Sequence, residues 1–487
     1  MERTIFAAVF AVECLLVFFL VARRSPVSGD DYAYLFQAEL FASGRLYAES
    51  PLYSADHPLH DCVLTKCLTD HEGKRFSKYP PGGSALLAVG AALGAPWLVD
   101  PVLAALVVYL FLAHVGRGRG PEAERACGTL LVLNGFLVYY GASYRAHFAA
   151  MLGILLAFLL FETAETERRS RGAGIRLLVS GALLGATTLI RYLDFAPMAA
   201  WIPWRLVRQR RVRPLLLFAV GFVLLAGGNL LYDYLLSGDP FATPTRLYNS
   251  AGIHDRLALS WRGFVVTGAR LSTLVAVFPP VLLLLTSWRR HLPSPAAQRG
   301  LALFSMSVAL YFLYPAAVGG PGPRYLLAYF PFLVLAVALG HGQLAQDDPS
   351  RARRLWVAAV GLQVMSSLTF LALEGRTLYG RRDLERTLAQ RRGQGQQLVL
   401  LKTGTYHTAA GDLTRNPPDL MSADTLIFLS CDPPKREALL RMFRGRTVWE
   451  YEYPGRLTAY RGSESGEPAA AAPEQPEAKV DRSAAKR

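Results

Sequence analysis

Eleven apolar segments, most of them long enough to cross a bilayer, constrain this chain more than any other feature of its sequence. A helix needs roughly 20 apolar residues to traverse the hydrocarbon core, because every backbone N–H and C=O must find its partner inside the segment. The segments cover residues 4–22, 98–116, 127–144, 147–163, 176–192, 195–207, 214–236, 269–288, 300–318, 325–341 and 355–373, and the sixth is the shortest. With 52% hydrophobic residues, 18% charged residues and a mean hydropathy of +0.24, the main solvent of this chain is lipid. The expected class is an all-α polytopic membrane protein of about 11 transmembrane helices.

The formal net charge of +15 raises the question of nucleic acid, and the placing of the arginines answers it. They fall in short runs between apolar segments, as in Arg168-Arg169-Ser170-Arg171 and Arg208-Gln209-Arg210-Arg211-Val212-Arg213. That is the pattern of cytoplasmic loops and argues against a nucleic-acid partner. A further apolar stretch, 83–97, follows Pro80-Pro81 and has only about fifteen residues, which suits an interfacial or re-entrant helix. If it crossed, the runs at Arg117/Arg119, 168–171, 205–213, Arg289-Arg290 and 351–354 would all face outward, against the positive-inside rule.

With those runs inside, the N-terminus is cytoplasmic, while the loop 23–97 and everything after Glu374 are outside. Arg23-Arg24 depart locally from the rule. The first helix lacks a small-residue cleavage site and reads as an uncleaved anchor. An arginine-heavy, lysine-poor composition suits a GC-rich bacterial genome, so the expected location is a bacterial inner membrane with the outer regions in the periplasm.

Three regions follow: a membrane domain over 1–373, a small α/β domain over 374–461, and a tail over 462–487 whose Ala/Pro/Glu composition predicts disorder. In the small domain, 397–402 and 425–431 read as buried strands, 434–443 as a helix, and 447–453 and 456–461 as alternating strands. Of five cysteines, Cys14 and Cys127 lie in or beside apolar spans and Cys431 stands alone. Cys62 and Cys67 are close enough in sequence for a small disulfide, with two free thiols an equal alternative.

The most informative polar stretch is Ser28-Gly29-Asp30-Asp31-Tyr32, just beyond the first span. A carboxylate there can act as a general base towards a hydroxyl; spacing alone would favour a helix cap. Cations able to hold a phosphate lie on the same side: Lys66, Lys74, Arg75 and Lys78 in the loop, and Arg145, Arg191 and Arg324 at span ends. For any one of them, snorkelling to lipid head groups is an equal alternative. Arg191 and Arg324 stand out because they oppose the general charge bias. His147 lies at the turn between the third and fourth spans and has no ligand set or triad around it, so a satisfied interfacial histidine is the favoured reading.

Asp30-Asp31, the Tyr79-Pro80-Pro81-Gly82 segment before a short apolar helix, Asn229 with Gly238-Asp239-Pro240-Phe241, and Gly322-Pro323-Arg324-Tyr325 together resemble the GT-C superfamily of glycosyltransferases. The similarity covers roughly residues 1–345 and is nearest to the protein mannosyltransferase-like and lipid A aminoarabinose transferase-like branch. It implies a membrane-embedded cavity, a polyprenyl-phosphate-linked sugar donor, a lipid, glycan or protein acceptor, and inverting transfer. Asp30 matches the catalytic base, and Asp31 stands where relatives carry Glu, to bind sugar hydroxyls or orient the loop. Arg324 and Tyr325 match a pair near the lipid phosphate, with Lys78 and Arg191 as further phosphate candidates and Tyr79, Arg145 and His147 as substrate contacts. The chain departs from many relatives in having no carboxylate over 139–147, so the expectation is transfer with no metal and no cofactor. The alternatives are a transporter, flippase or polysaccharide polymerase, kept open by Pro279-Pro280 in the eighth span, and a scaffold whose outer domain binds a partner.

Overall fold

The computed structural model describes residues 1–49, 51–53, 56–63, 67–170, 172–248, 260–287, 294–314, 322–381, 384, 387–388, 395–402, 414–452 and 456–460. Each of the eleven apolar segments is helical over most of its described residues. Among the described residues eight helices are long and apolar enough to cross a membrane: Glu2–Val21, Pro96–Arg119, His147–Thr166, Ala173–Ile190, Val212–Ser237, Pro295–Leu313, Arg324–Asp347 and Pro349–Thr377. A ninth results if Trp261–Val277 and Pro279–Thr286, bent by 104°, count as one span. The bend follows from Pro279-Pro280, which removes backbone donors and clashes with the preceding turn.

Eight or nine of the eleven segments pass by length and apolarity among the described residues, and the two others form shorter helices. Residues 127–144 are divided between the helices Pro121–Val132 and Gly135–Gly141, because the Asn134 side chain accepts from the Leu137 amide and starts a new helix. The segment 195–207 forms a helix of only 13 residues, Ala196–Arg208. The stretch after Pro80 is likewise short, a 12-residue helix Pro81–Ala92.

Small residues bring two spans into contact. A Cβ added at Gly181 would lie 2.0 Å from the Phe218 carbonyl oxygen, and one at Gly221 would lie 2.0 Å from that of Leu178. Ala173–Ile190 and Val212–Ser237 therefore pack backbone to backbone, as glycine permits in lipid.

The loop after the first span builds its own structure. The helix Gly29–Ala42 packs on Pro81–Ala92, where a Cβ at Gly83 would meet Ala146 at 2.5 Å and the Tyr34 ring at 3.0 Å. Between them in sequence comes an antiparallel sheet in the order β1 (Ala48–Glu49), β3 (Lys74–Ser77), β2 (Leu68–His71). Arg75, a phosphate candidate in the sequence, is buried here in a two-bond pair with Asp70 at 2.7 and 3.0 Å. Lys74 donates to the Leu236 carbonyl at 3.1 Å, and Lys66 lies outside the described residues.

Beyond the last span is a four-stranded sheet in the order β5 (Thr425–Leu429), β4 (Gln397–Lys402), β6 (Thr447–Glu452), β7 (Arg456–Ala459). β4 runs parallel to β5 and β6, and β7 is antiparallel to β6. The helix Pro433–Met442 follows β5. Residues 453 and 461, and the tail 462–487, lie outside the described residues. Leu398, Leu400, Phe428, Leu439 and Phe443 share one core with Tyr32, Phe36, Leu40 and Leu59 of the loop. Cys62 is bonded to Cys431, and Cys67 is a buried free thiol. That corrects the pairing of Cys62 with Cys67: the tertiary packing of the loop on the sheet outweighs their nearness in sequence.

The two ends of the bundle differ in charge. The helix His147–Thr166 spans about 30 Å at 1.5 Å per residue, with His147 at one end and Glu162 and Glu165 near the other. At that second end, Glu165 pairs with Arg168 at 2.9 Å and with Arg211, and Glu162 pairs with Arg299 at 3.0 Å. Arg171 and Arg289-Arg290 lie outside the described residues.

Candidate active site

The site is at the loop end and begins with the capping of one helix. Ser28 is the N-cap of Gly29–Ala42: its hydroxyl oxygen accepts from the Asp31 amide at 3.3 Å. This fixes Asp30 and Asp31 in the first turn, where consecutive side chains diverge by about 100°. The two carboxylates consequently enter different surroundings.

Asp31 points inward and is completely buried. Its Oδ2 accepts from Arg145 Nε at 3.0 Å and from the Ser28 hydroxyl at 2.6 Å, and its Oδ1 accepts from the Tyr144 amide at 3.0 Å. Arg145 Nη2 returns to the Ser28 hydroxyl at 2.9 Å, and its guanidinium lies over the Tyr140 ring at 4.9 Å. Both oxygens of Asp31 are thus committed to protein donors. A carboxylate so engaged holds the loop against the 143–145 turn.

Asp30 faces the other way and keeps part of its side chain exposed, at 18%. Its Oδ2 accepts from Arg324 Nη1 at 2.9 Å, and its Oδ1 accepts from the Tyr79 hydroxyl at 2.6 Å and the Cys67 thiol at 3.1 Å. Burial alone would raise the Asp30 carboxyl, but Arg324, Lys78 and Arg145, with the Tyr79 hydrogen bond, more than offset it and hold the group below its usual range. Burial acts to lower the Lys78 ammonium, whereas Cys67, Asp30 and Tyr248 hold it above its usual value. The result is an ionised carboxylate beside two cations.

Aromatic rings set the walls. Lys78 Nζ lies 5.2 Å from the Tyr79 ring centroid and 4.5 Å from that of Tyr248. Tyr79 stacks on Tyr34 with centroids 4.4 Å apart. Arg324 lies over Tyr325 at 5.2 Å, and Tyr325 in turn packs on Tyr311 at 5.2 Å.

The sequence candidates therefore separate into groups. Asp30, Lys78, Tyr79, Arg324 and Tyr325 meet in one cluster, although Asp30 and Arg324 are 294 residues apart. Arg145 belongs to Asp31. Arg191 is not an open cation, because its Nε donates to Asp194 Oδ2 at 2.5 Å, and Asp194 also accepts from the Tyr311 hydroxyl. His147 is buried edge-on against Tyr140 at 5.0 Å, with Arg145, Arg191 and Arg324 in range of its charge and no partner on Nδ1. Sequence reasoning missed Cys67, Tyr248, Asp194 and Tyr311. Only Asp194 had a local signal, the i,i+3 spacing to Arg191 at a helix end. Among the described residues no three His, Cys, Asp or Glu side chains come together as a metal-ligand set.

No protein-family model matches the chain, and no curated protein matches it in sequence. Solved structures do match. ArnT from Cupriavidus metallidurans in the apo state superposes with a TM-score of 0.58 at 14% identity, over 92% of this chain and 93% of that one. The same protein bound to undecaprenyl phosphate gives 0.57 at 13% identity, over 91% and 92%. At this identity the likeness shows the fold alone: a polytopic helical membrane protein with the architecture of ArnT.

Proposed function

We propose that this protein is a membrane glycosyltransferase that takes a sugar from a polyprenyl-phosphate carrier at the loop end of the bundle. The observation that carries the reading is the Asp30 carboxylate held beside Arg324 and Lys78 in one partly open cluster. The shared fold, and the undecaprenyl phosphate bound by ArnT, support the choice of carrier.

In this reading the acceptor hydroxyl gives its proton to Asp30 as its oxygen attacks the anomeric carbon. The bond between that carbon and the phosphate oxygen breaks, and its electron pair leaves on the carrier phosphate. Arg324 and Lys78 stabilise the phosphate charge, Arg324 through its planar fork. A single displacement of this kind inverts the anomeric centre. Tyr79 and Tyr325 position the base and the arginine, Asp31 and Arg145 position the loop, and Arg191 is held by Asp194 as part of the wall. His147 has a free nitrogen for a substrate contact.

The two cations already supply the charge a metal would bring, so chelation is expected to leave transfer unchanged. Activity lost with a chelator and restored by a divalent ion would count against this. The arginine end belongs in the cytoplasm by the positive-inside rule, with the loop 23–97 and the region 374–461 on the opposite side of a bacterial inner membrane. The Cys62–Cys431 bond suits that oxidising side.

The deciding experiment compares lipid-linked sugars and glycosylated products by mass spectrometry in cells with and without the protein. Loss of one product with accumulation of its polyprenyl-phosphate sugar supports transfer, and names sugar and acceptor. Unchanged product with carrier redistributed across the membrane would favour a flippase instead.

A further inference from the structure

The arginine end of the bundle holds a cavity that the proposed chemistry does not use. It measures about 170 Å³ and lies between four spans. Pro96–Arg119 supplies His114, Val115, Gly118 and Arg119, whose spacings of three and four residues put them on one helix face. His147–Thr166 supplies Phe158 and Glu162, and Pro295–Leu313 supplies Arg299 and Gly300. The fourth wall is Phe332 and Leu335 of Arg324–Asp347. Direct contacts join these walls. Phe158 meets His114 edge-on at 5.7 Å and Phe332 at 5.0 Å, and a Cβ added at Gly300 would lie 2.6 Å from the Phe332 carbonyl oxygen.

The lining changes character with depth. Arg119 ends its helix, Arg299 is in the second turn of its own, and Glu162 is one turn from the end of His147–Thr166, so all three belong to the arginine end. Phe158 lies one turn deeper than Glu162, about 6 Å at 1.5 Å per residue. The mouth is charged and the floor is aromatic.

The charges at the mouth do not cancel. Arg299 Nη1 donates to both oxygens of Glu162, at 3.0 and 3.2 Å, and its Nε is buried without an acceptor. Arg119 is exposed and makes no hydrogen bond or ion pair among the described residues. Two guanidiniums therefore face one carboxylate, which leaves one positive charge over. At Gly118 an added Cβ would meet no atom within 4 Å, so this wall has room beside the two arginines.

We propose that the cavity binds the phosphodiester of an anionic phospholipid, with Arg119 and Arg299 at the phosphate and acyl carbons against Phe158 and Phe332. A phosphodiester brings the single negative charge that the mouth lacks, and guanidiniums match its oxygens. Basic pockets between spans are established places for such head groups. The aromatic floor selects a lipid over free phosphate, which has no apolar surface to bury there. No residue of this cavity belongs to the Asp30 cluster, so the site stands or falls separately from sugar transfer.

The test titrates purified, delipidated protein in neutral detergent with phosphatidylglycerol, phosphatidylcholine or inorganic phosphate, and reads affinity from the ligand-dependent rise in Tm. Phosphatidylglycerol is expected to bind about tenfold more tightly than phosphatidylcholine, whose own cation cancels its phosphate charge, and than inorganic phosphate. Arg119→Gln should cost about fivefold in phosphatidylglycerol affinity, the worth of one cation near the membrane surface. Gly118→Leu should block the cavity and abolish the preference, and the Tm of each variant without lipid reports that it is folded. Arg213→Gln removes an exposed arginine from the same end but outside the cavity, and should cost nothing. Equal affinity for the two lipids, or equal losses from Arg119→Gln and Arg213→Gln, would reduce the site to diffuse attraction and overturn it. Inorganic phosphate binding as tightly as phosphatidylglycerol would give the cavity to a soluble anion and overturn the lipid.

Discussion

The two ends of the bundle use the same residues to opposite purpose. At the arginine end, Glu165, itself 9% exposed, is shared by Arg168, Arg205 and Arg211, whose side chains are 50%, 32% and 19% exposed and so reach water. Ion pairs in such surroundings contribute about 0–1 kcal/mol each, because water and salt screen them. At the loop end, Arg145 and Asp31 are 3% and 0% exposed. Removing one partner of a buried pair costs about 3–5 kcal/mol, since the other charge is stranded. A buried pair is nonetheless a poor way to stabilise a fold. Its place beside Asp30 suits the proposed reaction, in which a fixed field would act on the charge that moves during transfer.

The comparison breaks first at Asp30. Asp30→Asn keeps the shape and removes the proton acceptor, so transfer should fall about 10²–10⁴-fold, the usual contribution of general base catalysis. Expression and membrane insertion should be unaltered. Unchanged transfer in a sugar-transfer assay removes the proposed base. Arg145→Ala tests the same end by stability. It strands Asp31, and a loss of about 3–5 kcal/mol should appear as a clearly lowered Tm in detergent. A variant that melts like the wild type would make this pair no different from those at the arginine end.

Arg324→Gln sharpens the contrast through pH. The proposed reaction requires Asp30 ionised, and Arg324 is among the charges that keep its carboxyl below the usual range. Removing that cation raises the carboxyl towards or past its ordinary value of about 4, so the acid limb of the rate profile should move to higher pH. Donor use at neutral pH should also weaken about 10–100-fold through the lost phosphate contact. A profile with an unmoved acid limb would mean that Arg324 does not act on Asp30.

The uneven legibility of the site has the same physical root. Asp30, Lys78, Tyr79, Arg324 and Tyr325 could be grouped from sequence because the arginine pattern puts the loop 23–97 and the start of the segment 325–341 on one side of the bilayer, and because their motifs resemble the GT-C superfamily. What depends on sideways packing was hidden. Cys62 and Cys431 are 369 residues apart, and only the docking of the sheet on the loop joins them. The break at Asn134 sits inside an apolar run that composition reads as continuous. Arg191 looked like an open cation because its charge was counted without Asp194, three residues on in the turn that follows the helix, and without Tyr311, which arrives from another span.

The smallest expected effect is at Glu165. Glu165→Gln removes the charge shared by Arg168, Arg205 and Arg211 but keeps an oxygen able to accept from them. These arginines lie where snorkelling to water and lipid head groups is open to them, so each can replace the lost partner. Stability should change by less than about 1 kcal/mol, and transfer should not change at all. Measured beside Arg145→Ala in the same detergent, a comparable fall in Tm would show that burial does not separate the two ends. A fall in transfer without a fall in Tm would be more damaging, because it would couple the arginine end to a reaction assigned to groups about 30 Å away along His147–Thr166.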